Sequence, residues 1–128
     1  MLLNMIRIVA GNVRVEAELF SNRCPKTVSA ILAALPISGT VSTWGNEVYF
    51  STAVAAPKEN QKEIVELGDL GYWQPQNTFC IFFGPTPASI GDEIRPASAV
   101  NVFGKIVGDP TVLKQVSNGE NITIDHQD

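Results

Sequence analysis

Between Val13 and Leu19 every second residue is apolar: Val13, Val15, Ala17 and Leu19 alternate with Arg14, Glu16 and Glu18. A period of two describes a strand with one buried and one solvated face, which commits this part of the chain to a sheet. Gly11-Asn12 stands immediately before it and reads as a tight turn from a strand over residues 5–9. The period then changes. Over residues 25–35, Val28, Ile31, Leu32 and Leu35 recur at helical spacing, Pro25 suits the first turn and Pro36 stops the element, so an amphipathic helix is expected there.

Further strands are expected at residues 40–44 and 47–51, joined at Gly45-Asn46, and at 63–67, 78–83 and 99–107, separated by Gly-, Pro- and Ser-containing loops. Asp109-Pro110 supplies an N-cap and first-turn pair for a second short helix carrying Val112, Leu113 and Val116, with Gly119 as its stop. Ile122 and Ile124 return as a closing strand, and residues 125–128 are expected to form a flexible tail. Many short strands with one helix early and one late suit a closed β-barrel of about eight strands capped by two short α-helices. Closure removes exposed sheet edges.

At 128 residues, with 45% hydrophobic and 17% charged side chains, the chain is sized for one globular domain spanning 1–128. No apolar run approaches the roughly 20 residues that cross a bilayer, and Arg7 interrupts the N-terminal apolar stretch, so a cytoplasmic protein is expected. The net charge of −4 and nine scattered Lys and Arg residues lack the basic stripe that phosphate backbones require, so nucleic acid is not an expected partner. Cys24 and Cys80 are far apart with a single histidine, His126, in the chain. No metal site or cofactor is expected, and both thiols are read as reduced and inert.

Particular segments resemble the cyclophilins, the prolyl isomerases. Glu18-Leu19-Phe20 followed by Pro25-Lys26-Thr27 is similar to their strand and first helix; Ile81-Phe82-Phe83 and Val102-Phe103-Gly104-Lys105-Ile106-Val107 are similar to later strands, in the same order. Three further segments, residues 44–50, 68–73 and 82–87, resemble a family of small prokaryotic cyclophilin-like proteins of unsettled function. The resemblance implies a cyclophilin-like barrel over nearly the whole chain. It does not by itself imply activity, because a fold hosts sites without dictating them.

Prolyl isomerisation must cross a barrier of roughly 18–20 kcal/mol, and the twisted amide nitrogen accepts a hydrogen bond from a donor in the transition state. Cyclophilins supply an arginine from one strand and a glutamine nearby. The matching strand here, Val48-Tyr49-Phe50-Ser51, holds no arginine, and the glutamine-bearing segment is reduced to Leu67-Gly68-Asp69. Counting back from Phe103, Arg95 falls where cyclophilins carry a loop tryptophan, which makes it the candidate for a relocated donor, with Lys105 as a second choice; the alternative for Arg95 is a surface ion pair with Asp92 or Glu93 in a Pro-containing loop. Val100 replaces a polar histidine.

The expected site is therefore an aromatic groove without the usual arginine, formed by Trp44, Tyr49, Trp73, Phe82, Phe83, Arg95 and Phe103. Its expected occupant is a proline-containing peptide or a small apolar molecule. The expected function is a groove-type binding module, and the alternative is a peptidyl-prolyl cis-trans isomerase using Arg95.

Overall fold

The computed structural model describes residues 4–127. Strand β1 (Met5–Ala10) turns at Gly11, φ +57°, into β2 (Val13–Leu19), and the alternation read from sequence is the burial pattern observed: Val13, Val15, Ala17 and Leu19 are buried while Arg14 is exposed. Helix α1 (Pro25–Ala34) buries Thr27, Val28 and Ile31. Its N-cap residue, Cys24, makes no side-chain capping bond. The Glu59 carboxylate replaces it from a distant loop, accepting from the backbone N–H groups of Lys26 (3.1 Å) and Thr27 (2.8 Å) and from the Thr27 hydroxyl (2.7 Å).

Strands β3 (Ile37–Thr40), β4 (Ser42–Thr43), β5 (Glu47–Ser51), β6 (Gln61–Lys62), β7 (Asp69–Trp73), β8 (Thr78–Phe82), β9 (Val100–Val107) and β10 (Asn121–His126) complete an antiparallel ten-stranded sheet. Its order is β3-β10-β1-β2-β9-β7-β8-β5-β4, with β6 paired to β9. The expected closed barrel is thus corrected to an open sheet. The expected strand over 40–44 divides at the buried Val41: β3 before it pairs with β10, and β4 after it pairs with β5. These two ends of the sheet follow one another on the chain and form no ladder with each other. They approach through side chains, since a Cβ on Gly39 would stand 2.5 Å from the Phe50 ring.

Other boundaries also shift. The expected strand at 63–67 contributes one bridge, Val65 to Ile94, because its remaining residues are exposed and pair with nothing in the ladder. The second helix, Pro110–Gln115, is a 3₁₀-helix instead of an α-helix: Asp109 caps it through Thr111, and the Val116 N–H reaches back only three residues, to Leu113. Asp125 and His126, expected in a flexible tail, pair with Arg7 and Ile6 in β10; Asp128 lies outside the described residues.

Strand β7 was not expected, because Gly68 and Gly71 read as loop punctuation. Gly71 is required for packing: a Cβ there would stand 2.9 Å from both the Phe82 ring and a Val100 methyl. The strand runs where its neighbours' side chains close over a missing one.

Along β8 and the first half of β9 both faces are buried. Phe79, Ile81 and Phe103 enter the main core, where Phe79 stacks on Phe50 (5.5 Å between centroids) and meets Phe103 edge-on (5.3 Å). Cys80, Phe82, Val100 and Val102 point the other way and form a second cluster with Val65 and Ile94. The loop over residues 84–99 covers this second face.

Asn101 ties the fold together from inside. It is fully buried, donates to the Thr27 hydroxyl (3.0 Å) and the Pro57 carbonyl (2.8 Å), and accepts from the Glu59 N–H (2.9 Å). Asn101→Ala would remove all three bonds, one buried and two part-buried, and is expected to lower stability by about 2–4 kcal/mol. Asp109→Ala, which removes an exposed cap, is expected to cost less than Asn101→Ala. Urea unfolding of both variants checks this ordering, and equal losses would contradict it.

Candidate binding site

Alternation along three adjacent strands aims one set of side chains at the loop that covers the second face. On β5, Glu47 and Tyr49 share a face opposite to that of Val48 and Phe50. The register sets Glu47 beside Phe82, Tyr49 beside Cys80 and Ser51 beside Thr78 on β8, and sets Trp73 of β7 beside Thr78. Between these strands and the loop lies a hollow of about 240 Å³, lined by Trp44, Glu47, Tyr49, Trp73, Gln76, Thr78, Cys80, Pro96, Ala97 and Val100.

The rim is held from several directions. Trp44 precedes Gly45, φ +62°, whose missing Cβ would stand 2.8 Å from Pro87 and 3.0 Å from the Thr86 backbone. The next residue, Asn46, donates from both its backbone and its side chain to the Pro85 carbonyl (3.0 and 3.1 Å). Thr86 is buried, and its hydroxyl donates to the Arg95 carbonyl; Ser89 Oγ accepts from the N–H groups of Thr86 (2.9 Å) and Arg95 (3.1 Å). Opposite them, the Trp73 indole N–H donates to Ser98 Oγ at 2.6 Å. The loop is therefore clamped before any occupant arrives.

Three of the seven residues expected at the site converge here: Trp44, Tyr49 and Trp73. Phe82 packs in the second cluster beneath the hollow, fully buried, while Phe83 and Phe103 belong to the main core. None of these phenylalanines lines the hollow: Phe82 shares the face of Cys80 but is packed within the second cluster, and Phe83 and Phe103 are packed in the main core. Arg95 lines a neighbouring hollow with Glu63, Pro96, Ala97, Ser98 and Ala99, so Pro96 and Ala97 form a shared wall. Its guanidinium is paired with Glu93 at 2.7 Å. Lys105 is paired with Glu66, also at 2.7 Å.

Sequence reading overlooked Glu47. The available signal was its spacing of two from Tyr49 in an aromatic strand, which assigns both to one face. Glu47 is only 6% exposed, and no lysine or arginine lines the hollow. Burial pushes its carboxyl up from the ordinary 4.5 to about 7, opposed by a hydrogen bond from the Cys80 thiol. Cys80 is itself held well above the usual thiol range by burial and then by the charge of Glu47. The thiol's contact with the Thr78 carbonyl is long, 3.9 Å, which leaves the carboxyl as its better acceptor. Cys80 is thus a weak donor and no nucleophile. Burial, reinforced by the Glu59 charge, likewise pushes Cys24 up to about 11. Both cysteines are free.

Comparison with known proteins agrees with the architecture. A family model described as Cyclophilin-like matches residues 4–125. The solution structure of the hypothetical protein AF2241 from Archaeoglobus fulgidus is similar at 45% identity, over 98% of this chain and 95% of that one, with a TM-score of 0.84. McbB, solved in complex with tryptophan, is similar in fold at 14% identity and a TM-score of 0.75, over 95% of this chain but 44% of its own. No curated protein matches the chain. No helix among the described residues is long and apolar enough to cross a membrane.

Glu47 has a consequence for stability. Below pH 4.5 the carboxyl is protonated whether the chain is folded or not; between there and about pH 7 the unfolded chain gives up the proton while the folded one keeps it. Stability therefore falls as pH rises through this window, and the loss is complete above it. Glu47→Gln is expected to be more stable than the parent by about 2–3 kcal/mol at pH 8, with the difference disappearing near pH 4. Thermal unfolding at both pH values tests this, and a variant less stable at pH 8 would contradict it.

Proposed function

Since this chain belongs to the cyclophilin-like family, and its binding face lacks an arginine aimed at the hollow, we propose that it is a binding module for a small, largely apolar ligand or the side group of a proline-containing peptide. The observation that carries this reading is the convergence of Trp44, Tyr49 and Trp73 on one clamped hollow. Such pockets bind by burying apolar area against aromatic walls while a few polar groups fix orientation. At about 240 Å³ the hollow suits one ring or a short chain. A long peptide would have to run along the surface and offer a single group.

Isomerase activity would require Arg95 to leave Glu93 and reach around the wall formed by Pro96 and Ala97. That arrangement supports binding over catalysis. A cytoplasmic setting belongs to the same proposal and accords with two free buried thiols.

Two measurements test the reading. Tryptophan emission should change on titration with small aromatic ligands, and Trp73→Ala should weaken binding by at least about tenfold, whereas Arg95→Ala should leave it unchanged. NMR exchange spectroscopy on proline peptides should show no acceleration of an exchange that takes tens of seconds unaided. Acceleration that Arg95→Ala abolishes would replace the binding reading with a relocated-donor isomerase.

A further inference from the structure

Glu47 distinguishes this hollow from a plain apolar pocket. The polar groups facing its carboxyl can be named element by element. Cys80 and Thr78 come from β8, Tyr49 from β5 itself, and Gln76 from the turn after β7; Val100 of β9 and Pro96 and Ala97 on the covering side contribute no charge. The nearest basic group on that side, Arg95, occupies the neighbouring hollow and is already paired with Glu93. Glu47 is therefore a buried acid with no Lys or Arg beside it in the hollow among the described residues, set among two indoles and a phenol.

That combination discriminates among occupants. An anion would meet the carboxylate in a poorly solvated site and be repelled. A neutral apolar molecule would complete the burial of the carboxyl without satisfying it. A cation carrying N–H groups would do the reverse, giving Glu47 charge-assisted hydrogen bonds while its charge faces aromatic rings.

Building on the binding reading above, we propose that the hollow takes a small organic ammonium, with its nitrogen on the Glu47 carboxylate and its apolar body against Trp44, Tyr49 and Trp73. Binding is then linked to protonation. The ammonium engages the ionised acid, and the ionised fraction of Glu47 rises steeply between pH 6 and pH 8 because burial holds the carboxyl near 7.

The test is a titration of the full chain followed by tryptophan emission, using 2-phenylethylamine, its neutral analogue 2-phenylethanol and the anion phenylacetate. The amine should bind most tightly of the three, and about tenfold more tightly at pH 8 than at pH 6. Glu47→Gln, checked for its fold by one-dimensional NMR, should lose at least about tenfold in affinity for the amine at pH 8, lose the pH dependence, and keep its affinity for the alcohol. Equal binding of amine and alcohol by the parent, or an amine affinity indifferent to Glu47→Gln, would overturn the ammonium assignment and leave the aromatic hollow standing. Failure of all three probes to bind would overturn both.

Discussion

Strand β8 has no solvent face, and the rest of the molecule is arranged around that fact. Its five residues are all buried, with Phe79 and Ile81 in one core and Cys80 and Phe82 in another. A strand buried on both sides requires cover on both sides. The main core supplies the first, and the clamped loop over residues 84–99 supplies the second. Pro96 and Ala97 of that loop line one side of a hollow where Trp44, Tyr49 and Trp73 stand. The candidate site is thus a by-product of covering a sheet's second face, held open by hydrogen bonds at Pro85, Thr86 and Ser98.

Two buried polar residues of this chain differ in how their polar atoms are satisfied. Asn101 is satisfied on all sides, binding helix α1, the Pro57 segment and β9 into one unit. Glu47 is also buried, but among the described residues its carboxyl is met by a thiol donor, Cys80, and burial pushes it up to about 7. A polar group left in that state works against folding, and sites that bind or react are where such costs are retained.

Much of this was legible in the sequence. The alternation from Val13 to Leu19, the helix at Pro25 and the Gly45-Asn46 turn follow from periodicity and turn chemistry, and the family resemblance agrees with the match over residues 4–125. What was not legible depended on long-range contact. Gly71 reads as a loop residue until Phe82 and Val100 are seen filling the space above it. Val41 reads as mid-strand until its two sides are seen pairing with different partners. In the same way the sequence grouped Trp44, Tyr49 and Trp73, which converge on one hollow, with Phe82, Phe83 and Phe103, and only the packing separates the two sets. Glu47 was passed over because an acid in a strand is ordinarily a solvated one.

The central claim is that a carboxyl lies buried in an aromatic hollow lined, among the described residues, by no lysine or arginine. The most direct measurement is a ¹³C NMR titration of the Glu47 side-chain carboxyl in the folded, unliganded protein, assigned by its disappearance in Glu47→Gln. The account predicts a midpoint near 7, well above the ordinary 4.5. A midpoint in the ordinary carboxylate range would mean that water or a cation reaches Glu47, and the account of the hollow would be wrong.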